Sequence, residues 1–393
     1  MSTARTLVIG GGLIGLSIAR SLAERGAGEV LVLERHSLAS GGTGKSSGIV
    51  RSHYGVRSLA AMAWHSLPEL EELGEAIGLR QVGYLVIVGE EDVEALKANT
   101  AVHQGLGIDV DLVDGARLAE LCPPMEREDV ALASYEPRGG FADATQLALS
   151  LGQRARDLGA RIRQRTAVSR ILTRGEQVAG VELAGGEILE ADRVVVAAGW
   201  WSAALLADLG VDFPVHGYRS ELIVVDPGGP LPDLPVVSDL IGLQYLRPEG
   251  AGQLLVGNSD HSDHVSVDVD PDRYSNLAAE ATIERYAEKL LRRFPALPDP
   301  SVTHTYAGVY DVPPDWNPVI GHVPGVAELI LAAGFAGHGF KISPAVGRLV
   351  ADLALEGDST DPDVAAEDFR LERFAQGRLL TSPHPYAGAG QMR

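Results

Sequence analysis

Three glycines near the start of the chain have the spacing of a dinucleotide-binding turn. Gly10, Gly12 and Gly15 follow a short apolar run and precede a helical pattern and a second apolar strand that ends at Glu34. In such a unit the first glycine allows the tight turn, the second lets the backbone approach a pyrophosphate, and the third lets the helix pack on the strand. The helix N-terminus faces the phosphates, and Glu34 can accept hydrogen bonds from a ribose. The pattern therefore predicts a dinucleotide site.

A loop rich in glycines and hydroxyl groups comes after this unit. Residues 40–48 carry glycines, serines, a threonine and Lys45, and they run directly into an apolar pair and Arg51. A nicotinamide-binding domain would usually continue into another crossover helix at this point. The composition favours a loop that wraps an extended cofactor, and a flexible surface loop is the alternative.

A second glycine-rich turn lies near the other end of the chain. Residues 332–347 combine an apolar strand, this turn and a helix, for which Ser343 and Pro344 predict the start. A helix N-terminus offers backbone donors and a partial positive charge. Reduced flavin is anionic along its N1–C2=O edge, so this terminus would stabilise it. An ordinary strand–turn–helix unit is the alternative.

Composition excludes several classes of partner. The 393 residues carry a formal net charge of −20, which argues against nucleic acid or an anionic membrane surface. An anionic substrate would then need a local basic clamp. The one cysteine, Cys122, allows no intrachain disulfide and no multi-cysteine metal site, and it fits a reducing cytoplasm. The longest near-apolar run, residues 194–207, is too short to span a bilayer, so we expect no membrane insertion.

Strand-like runs alternate with helical patterns, which predicts an α/β class. We expect helices over residues 58–75, 91–104, 143–158, 271–294 and 344–355, strands over 82–88, 194–198 and 329–333, and a hairpin over 178–189. Nucleotide-type features occur near both ends and in the middle, so the simplest arrangement is a discontinuous Rossmann-like domain with a second domain inserted. We place the FAD-binding domain at 1–84, 142–221 and 304–375, the substrate domain at 85–141 and 222–303, and a C-terminal tail at 376–393.

Five motifs resemble, in order, those of the D-amino-acid oxidase/sarcosine oxidase superfamily of flavoproteins, and more narrowly its monomeric sarcosine oxidase and sarcosine oxidase β-subunit branch. They are Val8-Ile-Gly-Gly-Gly-Leu-Ile-Gly15 with Glu34, Gly44-Lys-Ser-Ser-Gly-Ile-Val-Arg-Ser-His-Tyr54, Val195-Val-Ala-Ala-Gly-Trp-Trp-Ser202, Tyr310-Asp-Val-Pro-Pro-Asp-Trp-Asn-Pro318 and Gly334-Phe-Ala-Gly-His-Gly-Phe-Lys-Ile-Ser343. The first is generic to flavoproteins, whereas the second and the last are specific to this branch.

The resemblance implies FAD as cofactor and a substrate domain whose antiparallel sheet roofs the flavin. It also implies that Val168 meets the adenine through its backbone and that Ala198 and Gly199 pass close to the FAD. The expected cofactor-binding residues are Gly10, Gly12, Leu13, Ile14, Gly15, Glu34, Arg35, Thr43, Gly44, Lys45, Ser46, Gly48, Ile49, Val168, Ala198, Gly199, Trp201, Gly337, His338, Gly339, Phe340 and Lys341.

A basic pair is implied for the substrate. Arg51 and Lys341 match the residues that hold the substrate carboxylate in the sarcosine-oxidising members; without the resemblance, each would be taken for a solvated surface charge. Tyr245 matches a substrate-facing tyrosine of the roof sheet, and a purely packing role is its alternative. The resemblance thus implies oxidation of the C–N bond of a small amino acid, secondary or N-methylated, by hydride transfer to flavin N5. The imine formed would hydrolyse in water.

Three departures from the family pattern matter. Members with flavin linked to cysteine carry it where this chain has Gly308, and others use an early histidine where the loop here offers Lys45, so we expect non-covalent FAD. The lysine that promotes oxygen reduction falls at Leu255, which leaves the electron acceptor open between O2 and another carrier. The roof-sheet histidine has no clear match: Ser259 lies near its place, with His261 close by.

Other functions stay open. An FAD-dependent dehydrogenase or oxidase of a 2-hydroxy acid would use the same clamp and would need a base, for which His53 and His338 are candidates. A non-catalytic flavoprotein assembly partner is the third hypothesis, and the chain could be a monomer or a subunit of a larger oxidoreductase. We expect no metal site, because His261 and His264 lie in an acidic stretch that is typical of a solvated turn.

Overall fold

The computed structural model describes residues 4–250, 252–260 and 269–387. The helices are α1 (Leu13–Glu24), α2 (Arg57–Leu73), α3 (Val93–Gly105), α4 (Gly115–Leu121), α5 (Ala144–Asp157), α6 (Ser202–Ala207), α7 (Glu280–Arg293) and α8 (Gly339–Leu355). The strands are β1 (Arg5–Ile9), β2 (Glu29–Leu33), β3 (Ile49–Val50), β4 (Tyr84–Val88), β5 (Asp111–Val113), β6 (Leu132–Glu136), β7 (Gly140–Phe141), β8 (Arg161–Arg163), β9 (Val168–Arg174), β10 (Gln177–Leu183), β11 (Ile188–Glu190), β12 (Arg193–Val196), β13 (His216–Asp226), β14 (Val236–Asp239), β15 (Gln244–Glu249), β16 (Gln253–Asn258), β17 (Ser301–Val312), β18 (Val319–His322) and β19 (Leu329–Ala333).

A six-stranded sheet carries the nucleotide turn. Its order is β18-β19-β12-β1-β2-β8, and all neighbours are parallel except β18 and β19. Its central strands are apolar along their length because both faces are covered. In β1, Val8 packs in one core with α1, α2, α5 and α8, whereas Leu7 and Ile9 pack in another core with the antiparallel sheet of β9, β10 and β11. This arrangement confirms the predicted α/β class with a Rossmann-like unit.

The second large sheet has eight strands, in the order β17-β13-β16-β15-β14-β4-β6-β5. All its neighbours are antiparallel except β14 and β4. One face packs against α7 through residues such as Leu254 and Val256. The opposite face carries Leu255 and Tyr245, and on this side Gly308 contacts Lys45 of the loop that precedes β3. We call this sheet the roof sheet.

Local signals predicted several elements well. Strand β19 has the expected bounds, the hairpin of β10 and β11 is present, and α5 begins directly after Asp143. The Asp143 carboxylate accepts hydrogen bonds from the backbone N–H groups of Thr145 and Gln146, at 2.7 and 3.0 Å. This is the capping geometry that the sequence predicts.

The helix expected over residues 271–294 was wrong in its first part, because α7 starts only at Glu280. The preceding backbone finds partners outside any helix. The Arg219 guanidinium donates to the carbonyl oxygens of Ser275 and Leu277, and the Thr305 hydroxyl accepts from the N–H of Ala278. Tertiary hydrogen bonds therefore hold residues 275–278 in a non-helical path along β13 and β17.

The start of α8 was also predicted wrongly. The helix begins at Gly339 rather than at Ser343 and Pro344, so the proline lies inside it. A proline at this position leaves the carbonyl oxygen of Phe340 without its helical N–H donor. The Ser343 hydroxyl donates to that oxygen at 2.9 Å and replaces the missing bond. The helix consequently starts one turn earlier, next to the glycine-rich turn.

We keep the two-domain division as a proposal. Its boundaries at 221/222 and 303/304 fall within β13 and β17, which pair with each other along their whole length. The N-terminal ends of these strands and their C-terminal ends therefore belong to one continuous sheet. A boundary between two domains would therefore lie in the loops that precede the strands of the roof sheet, rather than inside β13 or β17.

Candidate active site

The glycine turn has two glycines required by packing and one that leaves room for a ligand. Gly10 has φ of +114°, and a Cβ there would overlap the carbonyl oxygen of Ala197. A Cβ on Gly15 would overlap the carbonyl oxygen of Gly10, so α1 packs directly on the turn. Beside Gly12 the nearest heavy atom is Thr43 Oγ1, 3.3 Å from where its Cβ would lie. The space that a side chain would fill is thus available to a pyrophosphate at the N-terminus of α1.

Glu34 is fixed at the end of β2. Its Oε2 accepts from the backbone N–H of Gly11 and its Oε1 from that of His36, both at 2.7 Å. Each carboxylate oxygen keeps a further lone pair for a hydroxyl group. The N–H of Thr166 donates to the Glu34 carbonyl oxygen at 2.8 Å, which brings Val168, the first residue of β9, to the same end of the sheet. Glu34 and Val168 therefore suit the adenosine end of an FAD.

The loop of residues 40–48 is tied to α1 and to the roof sheet. Thr43 Oγ1 accepts from the N–H of Leu13 at 3.0 Å, and Arg247 Nε donates to the carbonyl oxygen of Ser47 at 2.6 Å. Gly48 has φ of +66°, and a Cβ there would overlap the backbone of residue 142. A loop held at three places can line a cofactor without a helix of its own. Gly44, Lys45 and Ser46 belong to it, and Ile49 continues it into β3.

Gly308 and Lys45 meet across the loop and the roof sheet. A Cβ on Gly308 would lie 2.8 Å from the Cβ of Lys45. The lysine stem therefore occupies the space that a cysteine side chain at 308 would need. This contact supports the expectation of a non-covalently bound flavin.

The first turns of α1 and α8 begin next to each other. Ile14 Cδ1 lies 3.5 Å from the position of a Cβ on Gly339, and the Ser17 hydroxyl donates to the Ser343 carbonyl oxygen at 2.7 Å. Two adjacent helix N-termini suit two anionic groups, a pyrophosphate and a reduced flavin edge. The predicted residues of the second terminus are Gly337, His338, Gly339, Phe340 and Lys341.

Asp311 holds the turn that leads into α8, and sequence reasoning missed it. Its Oδ2 accepts from the N–H of Gly334 at 2.7 Å and lies 3.8 Å from the position of a Cβ on Gly199. Burial raises the pKa of the Asp311 carboxyl to about 6. The carboxyl thus joins the segment of Ala198 and Gly199 to the turn before α8. The signal available was its place directly after Tyr310 in the fourth motif.

Trp201 and Arg35 form a small surface cluster near the loop. The Arg35 guanidinium lies 3.9 Å from the centre of the Trp201 ring, and the ring lies against Gly41. Asp272 accepts hydrogen bonds from both side chains, at 2.7 Å from Arg35 and 2.9 Å from Trp201 Nε1. Both predicted residues therefore line the loop on the side of β2.

Arg51 and Lys341 lie close to each other, as the resemblance implied, and we call this pair the clamp. Both side chains are only 6% exposed. The Arg51 Cζ lies 4.1 Å from the centre of the Tyr54 ring, and the Lys341 Nζ lies 5.9 Å from the same centre. Burial, and then the charge of Arg51, hold the pKa of Lys341 well below its usual range. Two desolvated cations at one ring form a site that favours an anionic ligand.

Glu136 stands behind this pair and was not singled out from the sequence. Its Oε2 accepts from the backbone N–H of Ser52 at 2.8 Å, and it also accepts from that of His53. It pairs in register with Tyr84, whose ring centre lies 5.9 Å from the Arg51 Cζ. Burial raises the pKa of Glu136 to about 7, although Arg51 opposes the shift. Glu136 thus holds the backbone that directly follows Arg51 and is close enough for the Arg51 charge to act on its carboxyl.

Tyr245 lies on the inner face of the roof sheet. Its ring covers Gly257, where a Cβ would overlap it, and its hydroxyl is hydrogen-bonded to the Ser47 side chain. Leu255 packs on the same face and is fully buried. Tyr245 therefore joins the roof sheet to the cofactor loop, and as a partly buried residue it is compatible with either role proposed for it.

His53 is fully buried, and the structure surrounds it with other rings. Its Nε2 lies 2.9 Å from the Tyr386 hydroxyl, and its ring meets that of His103 edge-on at 4.8 Å. Burial, and then His103 and Arg51, hold the pKa of His53 well below its usual range. His338, the residue before α8, has its ring 5.2 Å from that of Tyr54. His53 thus lies behind Arg51, whereas His338 lies beside the clamp.

One group of possible metal ligands occurs in the described part of the chain. Single ligand atoms of His65, Asp361 and Asp363 lie within 4.8 Å of one another. His65 Nδ1 is already 2.6 Å from Asp361, and Asp363 is paired with Arg57 at 2.8 Å. The group is a partly exposed ion-pair cluster. His261 and His264, in the acidic stretch considered above, lie outside the described residues.

None of the described helices is long and apolar enough to cross a membrane.

Comparisons with known proteins show what this chain is similar to. The chain is 31% identical to 4-methylaminobutanoate oxidase (formaldehyde-forming) of Paenarthrobacter nicotinovorans, over 99% of this chain and 48% of that protein. It is 26% identical to sarcosine oxidase subunit beta of an Arthrobacter species, over 95% and 92% of the two chains. The crystal structure of L-proline dehydrogenase from P. horikoshii superimposes with a TM-score of 0.86, at 27% identity, over 96% and 99%. The chain spans about half the length of the first curated relatives that it matches.

The family itself is shown by a match over most of the chain. Residues 5–353 correspond to the family described as DAO, FAD dependent oxidoreductase. This range includes the glycine turn, Glu34, the cofactor loop, Arg51, the roof sheet and the first turn of α8. The chain therefore belongs to the FAD dependent oxidoreductase family, as its motifs predicted, and FAD is its cofactor.

Proposed function

We propose that this protein oxidises the C–N bond of a small amino acid whose amine is secondary or N-methylated. The observation that carries the proposal is the buried pair of Arg51 and Lys341 at one aromatic ring. The names of three similar proteins support it, because 4-methylaminobutanoate, sarcosine and L-proline each carry a carboxylate and a secondary amine. The finer identity of the substrate is part of the proposal.

The residues of the site have distinct tasks. Arg51 binds the carboxylate with two N–H groups and fixes its direction, whereas Lys341 adds a point charge. Holding the carboxylate in one place aims the carbon atom that is oxidised, which is bonded to the amine nitrogen, and lowers the entropic cost of reaction. The positive field of the pair also disfavours the ammonium form of the substrate amine, so the amine is present as the neutral base. The chemistry that FAD would supply when bound is acceptance of a hydride equivalent from a carbon atom bonded to the amine nitrogen.

The binding site for FAD follows from the turn and the two helices. Gly12 and the N-terminus of α1 would receive the pyrophosphate, Glu34 the ribose, and the first turn of α8 the N1–C2=O edge of the flavin.

Leu255 on the inner face of the roof sheet offers no charge to stabilise superoxide. We therefore propose an acceptor other than O2, and the likeness to a sarcosine oxidase β subunit supports a subunit within a larger oxidoreductase.

Oxidation of a 2-hydroxy acid is the weaker candidate. It needs a base for the hydroxyl proton, and the Nε2 of His53 is engaged by Tyr386 in a fully buried position. His338 is then the remaining candidate of the two predicted bases. A non-catalytic assembly role would leave the buried cationic pair without a ligand.

A substrate screen on the flavin band tests these alternatives. The FAD-loaded protein is mixed without oxygen with sarcosine, N,N-dimethylglycine, L-proline, 4-methylaminobutanoate, glycolate and L-lactate in turn. We expect bleaching within seconds to minutes by at least one of the amines and by neither hydroxy acid. Bleaching by glycolate or lactate alone would replace the proposed function with the 2-hydroxy acid reaction. A flavin that no compound reduces, although dithionite reduces it, would favour the assembly role.

A further inference from the structure

Residues 382–387 follow an unexpected path into the substrate side of the molecule. The Leu380 N–H still donates to Asp315 at 3.0 Å, next to the loop after β17. The chain then enters the space between the roof sheet and α3. Tyr386 is only 2% exposed there and packs in one core with Tyr84 and Val86 of β4, Ile49 of β3 and Leu96 of α3. The segment is therefore a built part of the site rather than a loose tail.

Polar contacts fix this segment on both sides of the tyrosine. Asn99 Nδ2 donates to the carbonyl oxygen of His384 at 2.9 Å, and the N–H of Ala387 donates to Asp92 Oδ1 at 3.1 Å. The Asn99 side chain is also hydrogen-bonded to the Tyr386 hydroxyl. Both partners lie in or beside α3, so the backbone and the hydroxyl of this segment are set by one helix.

The tyrosine reaches Arg51 through His53. The Tyr386 hydroxyl lies 2.9 Å from His53 Nε2, and the two rings are stacked at 5.8 Å with an angle of 26°. The carbonyl oxygen of His53 accepts a hydrogen bond from Arg51 Nη1. A single chain of contacts thus runs from Tyr386 to the His53 ring, along its backbone, and to the guanidinium of the clamp.

We propose that Tyr386 is a positioning residue of the substrate site, which holds His53 so that its backbone carbonyl keeps the Arg51 guanidinium turned toward the substrate carboxylate. The inference rests on the proposed function in one respect, because it takes Arg51 as a carboxylate ligand. It goes beyond that function by giving a role to residues 382–387, which lie outside the family match of residues 5–353.

The physical reason is the directionality of the guanidinium. A bidentate contact with a carboxylate fails when the planar fork is rotated, whereas a lysine charge tolerates rotation. The carbonyl of His53 and the ring of Tyr54 set the plane of Arg51, and Glu136 accepts from the N–H groups of Ser52 and His53. Without the Tyr386 hydroxyl, the His53 ring loses the hydrogen bond at Nε2 that fixes its angle between the rings of His103 and residue 386. The backbone carbonyl then loses a restraint that the ring supplies.

Tyr386→Phe tests the proposal because it removes the hydroxyl and keeps the ring. The full-length FAD-loaded protein is titrated with acetate, and binding is followed by the change in flavin absorbance and by calorimetry. We expect the Kd for acetate to rise about fivefold, the scale of one hydrogen bond. The KM of an amino-acid substrate should rise by a similar factor while kcat changes little. The KM of a carboxylate-free amine should not move.

Tyr286→Phe is the matched control. Tyr286 is 5% exposed, its hydroxyl is hydrogen-bonded to Arg285, and it packs on the far face of the roof sheet. Loss of the Tyr286 hydroxyl should leave the acetate Kd unchanged. A rise in the acetate Kd that occurs in Tyr386→Phe but not in Tyr286→Phe is therefore specific to the clamp. If Tyr386→Phe does not fold, Asn99→Ala is the second variant. It removes the hydrogen bonds from the Asn99 side chain to the His384 carbonyl and to the Tyr386 hydroxyl, and it should also raise the acetate Kd. The pair His53→Gln and Tyr386→Phe should be non-additive.

Two results overturn the proposal and can be told apart. If Arg51→Met abolishes acetate binding while Tyr386→Phe and Asn99→Ala leave it unchanged, Tyr386 only packs, and the clamp stands. If the natural protein binds no acetate and no amino-acid substrate, or Arg51→Met leaves their binding unchanged, the clamp itself is wrong. The proposed function then fails together with this inference.

Discussion

Lys341 Nζ and the Arg51 guanidinium lie beside the same Tyr54 ring, 5.9 and 4.1 Å from its centre, although the two residues belong to opposite ends of the chain. Both are almost fully buried. Each charge is deprived of water and repelled by the other, and this keeps the pKa of Lys341 low. Binding an anion relieves both costs. The charged forms of Arg51 and Lys341 are thus more stable with a carboxylate bound between them than without one.

The first prediction concerns this clamp. Arg51→Met or Lys341→Met should each cost about 2–4 kcal/mol of transition-state binding, the scale for removing one partner of a desolvated charge pair. The measurement is the rate of anaerobic flavin reduction as a function of substrate concentration. Arg138→Met is the control, since Arg138 also lies over an aromatic ring, 4.7 Å from that of Trp64, but away from the clamp. An equal loss with a carboxylate-free amine would contradict the assignment.

The second prediction concerns Glu34. If its two backbone-anchored oxygens accept the ribose hydroxyls, Glu34→Ala removes charge-assisted hydrogen bonds of about 1.5–3 kcal/mol. The Kd for FAD should rise about ten- to a hundredfold in a fluorescence titration of the apoprotein. Glu187→Ala, which removes an exposed carboxylate paired with Arg163, should leave the Kd unchanged. Unchanged FAD affinity in folded Glu34→Ala would refute the ribose assignment.

The third prediction is that the flavin is not covalently attached. Lys45 fills the space beside Gly308, and the loop carries no histidine. Precipitation with acid should release yellow flavin into the supernatant. Flavin that stays in the washed pellet would show a covalent link. The variant Gly308→Cys should not create one, because the new side chain would meet the Lys45 stem and be displaced.

Sequence reasoning succeeded where the determining contacts are local. The cap of α5 at Asp143 depends on backbone N–H groups two and three residues away, and the bounds of β19 follow its continuous apolar run. The proximity of Arg51 and Lys341 depends on the whole fold, so only the resemblance of two motifs could suggest it. Glu136 and Tyr386 gave no signal, and Asp311 gave only its place in the fourth motif, because their contacts are to groups that are distant in sequence.

The errors have physical causes as well. Ser343 and Pro344 have the composition of a helix start, but the serine hydroxyl satisfies the carbonyl that the proline leaves open, so the helix continues past them. Residues 271–279 continue a helical pattern, but Arg219 and Thr305 satisfy their backbone groups from the roof sheet. In both places a side-chain hydrogen bond decided between two acceptable backbone paths.

The fourth prediction concerns acid stability. Burial lowers the pKa of His103 from 6.5 to about 4, and its Nε2 donates to the carbonyl oxygen of Tyr54 at 2.8 Å. Between these two pH values the unfolded chain binds a proton that the folded chain does not. Stability therefore rises with pH across this window and is lost on acidification, by about 3 kcal/mol in full.

His103→Gln tests this by keeping a donor for the carbonyl without a titrating ring. Urea unfolding at pH 7 and pH 4.5, with excess FAD, should show that the natural protein loses about 2 kcal/mol more than the variant. His322→Gln, at an exposed histidine on β18, should lose as much as the natural protein. Equal losses in His103→Gln and the natural protein would show that His103 does not titrate in this window.

The last prediction concerns the electron acceptor. Leu255 is fully buried on the inner face of the roof sheet, directly across from Arg247 in the strand register. Arg247 is engaged by the Ser47 carbonyl and by Glu249, so its charge is already compensated. A leucine offers nothing to stabilise superoxide as it forms. Reoxidation of the reduced flavin by air should therefore be slow, whereas an artificial acceptor such as a quinone should turn the enzyme over readily.

Leu255→Lys should accelerate reoxidation by air on the order of a hundredfold, the scale of one preorganised charge at a reacting centre. Leu255→Met, which keeps size without charge, should leave the rate unchanged. Burial will lower the pKa of the new lysine, so the acceleration should be larger at pH 6 than at pH 9, where the ammonium is lost. Stopped-flow mixing of the reduced protein with oxygenated buffer gives the rates directly. Fast reoxidation of the natural protein would show that another cation, such as Lys45 or Lys341, supplies the charge, and the protein would then be an oxidase.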